Sequence, residues 1–340
     1  MPVRLALVGC GRIAQVAHLP AIENADGVEL VAVADPSEAV AAAVARRYDI
    51  PAAYTDHHDA FRDADAVVVA APDRFHHAIA TDALRAGKHV LVEKPLTSTA
   101  AEAESLAALV DETGLVLQVG AMKRHDQGMQ FAHRFVAERL GQPRSFTAWY
   151  RIGDLRPGIE ATLFPRVYAD EQARTTEAAF KADRRRYLLA THGAHFFDTI
   201  RYLLGDVTGV IAKHRQDGRD QTWQLLLTLA SGVIGTVSIT VDVPGVPTEG
   251  LEVFGSDASV RIDTPFPFYR LASNVQAYTN GETVSPVRTD GNAYERQIEA
   301  FAQAVRGDVR PTPDVRDGLQ AVRLIEATAA AVESGTEVKL

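Results

Sequence analysis

Between residues 3 and 120, short apolar runs alternate with Ala-rich stretches whose apolar residues recur at helical spacing, the pattern of repeated βαβ units around a parallel sheet. Strands are expected over Val3–Gly9, Val28–Asp35, Ala66–Ala71, His89–Glu93 and Leu115–Gly120. Helices are expected over Pro36–Tyr48, Arg74–Ala86 and Ser98–Thr113, the last two followed by Gly87 and Gly114, where helix C-terminal glycines belong. Residues 1–121 therefore read as a doubly wound α/β domain of the Rossmann type.

Beyond Met122 the pattern changes. A helix over 127–139 is followed by strand-like runs at 145–152, 207–215, 222–229, 233–241, 251–255 and 260–263. Strands after βα alternation imply a second, α+β domain over 122–340, built on a largely antiparallel open sheet with helices on one face. The run Gln221–Val241 carries no charged side chain and has about the length of a membrane span. Its alternation decides otherwise: Trp223, Leu225, Leu227 and Leu229 alternate with polar residues, Ser231-Gly232 interrupts, and Val233, Val237, Ile239 and Val241 alternate with Thr236, Ser238 and Thr240. Two half-buried strands joined by a tight turn are expected.

In those strands Leu225 lies beside Leu226 and Val233 beside Ile234, so both sheet faces carry apolar residues. A homodimer or homotetramer packed through this sheet is the expected assembly. Residues 153–186 show weak periodicity, several arginines and two prolines, Pro157 and Pro165, and are expected to form an insertion or lid. Helical patterns at 292–305 and 315–334, split by Pro311-Thr312-Pro313, close the chain.

The composition narrows the partners. A chain of 340 residues with 46% hydrophobic and 23% charged residues is an ordinary globular protein of two domains. Its net charge of −9 has the wrong sign for neutralising nucleic-acid phosphates or an anionic membrane surface. Cys10 is the single cysteine, which excludes an intramolecular disulfide, and the opening apolar run is too short for a signal-peptide core, so a cytoplasmic protein is expected. Neither His57-His58 nor His125 with His133 has a Cys or acidic set at ligand spacing, and no metal is expected.

The strongest motif is Gly9-Cys10-Gly11-Arg12-Ile13-Ala14, which follows a strand, opens a helix and fits G-x-G-x-x-G/A. Gly9 permits the tight turn, Gly11 lets a pyrophosphate approach the backbone, Ala14 lets helix and strand pack, and the helix opening at Arg12 and Ile13 offers N–H groups to the phosphates. Asp35, 21 residues after Ala14 at the end of the second strand, is placed to accept hydrogen bonds from the adenosine ribose. Because Pro36 and Ser37 follow it rather than Arg, NAD is favoured, with NADP the other cofactor the motif admits.

The fourth strand continues into Ala71-Pro72-Asp73-Arg74-Phe75-His76, and the fifth ends in Glu93-Lys94-Pro95. Together with the glycine loop and the helix Gly193-Ala194-His195-Phe196-Phe197-Asp198, these motifs resemble the family of glucose-fructose oxidoreductase, inositol dehydrogenase and the MocA proteins (Gfo/Idh/MocA) along the whole chain. The resemblance implies a dehydrogenase acting on a secondary hydroxyl or ketone of a sugar, glycoside or cyclitol. It places Ala71, Pro72, His76, Glu93 and Lys94 along the cofactor, with Lys94 toward the nicotinamide and the reacting hydroxyl. That role has a physical basis of its own, since a hydroxyl losing hydride also loses a proton and a nearby ammonium stabilises the developing oxyanion.

The resemblance makes His195 the proton acceptor, but the position one turn earlier, an Asp in the family pattern, is Thr191 here. His192, three residues before His195 on the same helix face, is the substitute the sequence offers. Lys123 and Arg124 fall in a substrate-near stretch, which puts them with Thr191, His192, His195 and Lys94 among the expected substrate contacts. Two other readings stay open: an NADPH-dependent ketosugar reductase, and a dinucleotide-binding sensor or co-repressor without turnover.

Overall fold

In the computed structural model, which describes residues 1–287 and 291–340, the chain forms two compact units, neither of them continuous. The first takes Met1–Met122, Arg166–Tyr187 and Tyr294–Val322; the second takes Lys123–Pro165, Leu188–Ala293 and Arg323–Leu340. Compactness thus groups the chain differently from a single cut at residue 121.

The first unit opens with β1 (Val3–Val8), the glycine loop and a helix whose first turn, Ala14–His18, is π-helical before α1 (Leu19–Asn24). There follow β2 (Val28–Ala34), α2 (Glu38–Arg47), the short β3 (Ala52–Tyr54) and α3 (His57–Ala60), β4 (Ala66–Val69), α4 (His76–Arg85), β5 (His89–Glu93), α5 (Ala100–Thr113) and β6 (Leu117–Gly120). The strands are parallel in the order β3-β2-β1-β4-β5-β6, with the reversal of winding between β1 and β4. In such sheets the ligand crevice lies at the carboxyl ends of the strands beside that reversal. α5 begins with a reciprocal capping box between Thr99 and Glu102 and ends at Gly114 in the left-handed region.

The second unit begins with α6 (Gln127–Arg139), capped by Asp126, then β7 (Pro143–Gly153) and α7 (Arg156–Leu163). α8 (Glu171–Phe180) lies in the segment of the first unit that follows, and α9 (Arg184–Leu204) carries the chain back to the second. The stretch expected as an insertion or lid therefore contains α7, α8 and the start of α9. The strands β8 (Val207–Asp217), β9 (Asp220–Leu229), β10 (Ile234–Val243), β11 (Thr248–Gly255), β12 (Ala258–Thr264), β13 (Asn274–Thr279) and β14 (Glu282–Val284) complete a sheet with β7. After α10 (Ala293–Arg306) and α11 (Val315–Ser334), β15 (Val338–Lys339) adds its other edge.

The nine strands run β14-β13-β12-β11-β7-β10-β9-β8-β15, antiparallel except for the β7–β10 pair. β9 and β10 form the expected hairpin, and among the described residues no helix is long and apolar enough to cross a membrane. On one face Trp223, Leu225, Leu227, Val237 and Ile239 are buried, and Phe196 of α9 lies 5.8 Å from the ring of Tyr150, the neighbour of Ile239. On the other, Ile211, Leu226, Ile234, Phe254 and Tyr278 stay exposed. Trp149 lies on this second face across from Gly250, where an added Cβ would fall 2.2 Å from its ring, and carries the Arg261 guanidinium 5.3 Å above it.

The Pro311–Pro313 stretch explains why residues 294–322 join the first unit. It runs along β6, with Val119 N donating to Pro313 O at 2.9 Å and Gln118 bridging to Asp314. Val315, Leu319 and Val322 of α11 then enter the core formed by Val67, Val69, Val90, Val92 and Val119, and Gly318 lets that helix approach Leu96 and Val119. Apolar periodicity shows that such a helix is buried but not which sheet buries it.

Candidate functional site

The glycine loop is built as its sequence demands. Gly9 has φ +91° and so close an approach to the end of β4 that a Cβ would lie 2.6 Å from Ala71 N, so no other residue fits. Gly11 faces open space within 4 Å, and Arg12 beside it is exposed. Behind them Ala14 is fully buried. Asp35 is held from both sides of the crevice: Cys10 N donates to one carboxylate oxygen and Ser37 N to the other, each at 2.9 Å. Burial, and then the charge of Asp35, push the Cys10 thiol up to about 12, which makes it an inert packing group rather than a nucleophile.

At the end of β5 the turn carrying Lys94 is fixed from three directions. Glu93 is buried, accepts from His18 Nε2 at 2.8 Å with one oxygen and from Lys94 N at 3.1 Å with the other. Burial alone disfavours its charge, yet the His18 hydrogen bond and the positive charges of His18, Lys94 and His76 outweigh this and hold the carboxyl below its usual range. The Lys94–Pro95 peptide is cis. His76, the first residue of α4, is buried with Nδ1 at 2.8 Å from Pro95 O and Nε2 at 2.9 Å from Ala71 O, so it ties this turn to the end of β4. Gly120 on β6 completes the support, because a Cβ there would meet Glu93 Cα at 3.0 Å.

The second unit gathers a different set. Lys123 and Glu249 of β11 form an almost fully buried ion pair, with the ammonium 5.2 Å from the Tyr150 ring centroid. The Tyr150 ring lies 5.5 Å from that of His192 and 5.8 Å from that of Phe196, and burial, reinforced by the Glu249 charge, pushes its hydroxyl pKa up. Arg124 forms a buried pair with Asp198, at 3.0 Å from Nε and 2.7 Å from Nη2, and lies 5.0 Å from the Tyr202 ring. On α9 His192 is buried, whereas Thr191 and His195 are half-exposed.

Residues 3–121 match the model of an oxidoreductase family with an NAD-binding Rossmann fold, GFO_IDH_MocA, and residues 188–340 match that family's C-terminal alpha/beta domain. The chain belongs to the Gfo/Idh/MocA oxidoreductase family. Within it, 4-carboxy-2-hydroxymuconate-6-semialdehyde dehydrogenase of Sphingobium sp. is 29% identical over 330 residues, covering 95% of this chain and 96% of the relative. Inositol 2-dehydrogenase of Rhizobium meliloti is 26% identical over 351 residues, with all of both chains covered. A levoglucosan dehydrogenase solved with NADH has the same fold, with TM-score 0.80, 19% identity and coverage of 100% of this chain and 99% of that one.

Set against this family frame, the expected residues fall into two groups. Gly9, Gly11, Arg12, Ile13, Asp35, Ala71, Pro72, His76, Glu93 and Lys94 all belong to the first unit, at or near the carboxyl ends of β1, β2, β4 and β5. Lys123, Arg124, Thr191, His192 and His195 all belong to the second. Arg124, expected at the substrate, is paired with Asp198, 74 residues away. Sequence reading missed Glu249, Tyr150, Gln15 and His18; only His18, four residues past the glycine motif on its helix, carries a local signal.

It also missed the acidic partners of the histidine pair: His58 Nδ1 contacts Asp56 at 2.8 Å and His57 Nε2 contacts Asp82 at 3.1 Å. Asp82 comes from α4, 25 residues on, outside any local ligand spacing. Asp56 is occupied as the cap of α3, accepting from His58 N.

Proposed function

We propose that the protein is an NAD-dependent dehydrogenase that oxidises a secondary hydroxyl of a sugar, glycoside or cyclitol, or reduces the matching ketone. The observation that carries this reading is the braced turn at the end of β5, where Glu93, His76 and Gly120 fix the backbone of Lys94. Gly9, Gly11, Arg12 and Ile13 would hold the pyrophosphate, Asp35 the adenosine ribose, and Ala71 and Pro72 the nicotinamide side. When bound, the dinucleotide accepts the hydride that leaves the carbinol carbon.

The chain's own residues act on the oxygen. The Lys94 ammonium stabilises negative charge there as the carbon is oxidised, and His195 takes the hydroxyl proton. Thr191 offers a hydroxyl where a carboxylate would raise the basicity of His195, and the buried His192, packed against Tyr150, takes up part of that positioning.

The two buried cations of the second unit are each neutralised, Lys123 by Glu249 and Arg124 by Asp198. A neutral polyhydroxylated substrate suits such a site better than a carboxylated one, because each of these cations already has a carboxylate of the chain as its counter-charge. The inositol dehydrogenase among the relatives supports the same class. The test offers the purified protein NAD with a panel of neutral sugars, glycosides and inositols and their uronate counterparts, reading NADH absorbance. Turnover with neutral members is expected; turnover confined to uronates overturns the substrate reading, and cofactor binding without any turnover favours the sensor.

The exposed apolar face with Ile211, Leu226, Ile234, Phe254 and Tyr278 supports a homodimer or homotetramer through this sheet. A monomer in light scattering at micromolar concentration overturns it. The single cysteine, buried and inert, suits the reducing cytoplasm.

A further inference from the structure

Within the first unit, residues 166–177 form a strap bonded at four points, to α2, to the helix after the glycine loop and to the segments that follow β2 and β4. Arg47, at the end of α2, donates to Arg166 O at 3.2 Å. The buried Gln15, on the helix that leaves the glycine loop, joins that loop to the strap: Nε2 donates to Cys10 O and to Tyr168 O, each at 2.7 Å, and Oε1 accepts from Tyr168 N at 2.9 Å. Ser37 Oγ donates to Asp170 Oδ2 at 3.1 Å. Arg74, two residues past Pro72, forms an ion pair with Glu177.

We propose that Asp170 is a second carboxylate at the 2′-hydroxyl side of the adenosine ribose and, together with Asp35, sets the preference for NAD over NADP. The inference rests on the cofactor reading above and adds a residue from outside both stretches that match the family. One serine joins the two acids: Ser37 N donates to Asp35 Oδ1 at 2.9 Å while its hydroxyl donates to Asp170. The consequence follows from hydrogen-bond inventory. A serine two residues past a ribose acid can donate its hydroxyl hydrogen to a 2′-phosphate, but here that hydrogen is already given to a carboxylate. A dianionic phosphate arriving there meets two negative charges and no free serine donor, whereas an uncharged ribose hydroxyl meets two acceptors.

The test is equilibrium binding of NAD and NADP to the full chain, which requires no turnover. Asp170→Asn keeps a side chain able to bond Ser37 and removes the charge; Asp170→Lys reverses it. The ratio of NADP to NAD affinity is expected to rise roughly tenfold in Asp170→Asn, the scale of one charge contact across a partly solvated site, and further in Asp170→Lys. High salt should compress the series. An equal ratio in wild type and both variants, equal loss of both cofactors included, overturns the role of Asp170. Asp35→Ala separates the two levels: if it weakens NAD while the Asp170 series is flat, only the inference fails, and if it leaves NAD binding untouched the cofactor reading fails as well.

Discussion

The turn at the end of β5 and the polar cluster around α9 solve the same problem, holding polar groups in a protein interior, by opposite means. The first uses the backbone. Glu93 and His76 spend their hydrogen bonds on the main chain of Lys94, Pro95 and Ala71 and on His18, so the turn is fixed by groups that keep their place. The second uses charge against charge, Lys123 with Glu249 and Arg124 with Asp198, brought together from elements 126 and 74 residues apart. A backbone brace holds an atom in position, whereas a buried ion pair mainly prevents the cost of leaving either charge alone. Lys94, held by that brace, should therefore respond to mutation in rate, and the Arg124–Asp198 pair in stability.

The largest effect should come from Lys94→Ala, which is expected to cut turnover by orders of magnitude while NAD affinity stays nearly unchanged, since its work is done on the oxygen. His195→Ala should lower turnover by roughly 10²- to 10⁴-fold, the range for losing a positioned general acid/base. Steady-state rates with cofactor titration check both; intact turnover in both variants would remove the catalytic assignment.

Next comes stability. Asp198→Ala leaves the Arg124 guanidinium buried without its carboxylate and should cost about 3–5 kcal/mol in urea unfolding. A loss below about 1 kcal/mol would show that water reaches Arg124, and the contrast between the regions would lose its basis.

Glu93 ties stability to pH. Its folded pKa lies below the ordinary glutamate value, so its contribution is complete above that value and disappears as pH falls through the folded pKa. The stability gap between wild type and Glu93→Gln should be full at neutral pH and narrow as the solution is acidified below about pH 4. A gap independent of pH would mean that packing, not charge, is what Glu93 supplies.

The smallest effect is the most local. Thr191→Asp restores a carboxylate one turn from His195 and should move the acid limb of the pH–rate profile upward by less than about one unit, the range of a half-exposed charge pair. An unmoved limb with unchanged rate would show that the side chain at 191 does not reach the imidazole.

How much of this was legible in the sequence follows the same division. The glycine loop, Asp35 and Glu93-Lys94-Pro95 sit at strand ends in local motifs, because a tight turn and a close backbone approach dictate residue types at fixed spacing. The β9–β10 hairpin was readable from alternation alone. The partners Glu249 and Asp198 were not, since any acid in a distant element can pair with a buried cation. Gln15 looked like an ordinary helix residue, and its role exists only once Tyr168 has arrived 153 residues later. The packing of the start of α11 against β6 was equally hidden: an apolar stripe does not name the sheet it meets, and the bond from Val119 N to Pro313 O brings Val315, Leu319 and Val322 to this one.

The chain contains two tryptophans, and they lie on opposite faces of one sheet: Trp223 fully buried among the core residues, Trp149 half-exposed on the outer face over Gly250. The molecule thereby carries two intrinsic fluorophores with separate duties. Emission from Trp223 should stay blue until the core melts, whereas Trp149 should shift blue only if the proposed homo-oligomer forms over that face. Trp149→Phe would leave a clean reporter of folding, and Trp223→Phe a reporter of assembly, so that dilution and denaturation could be followed apart in one protein without any added dye.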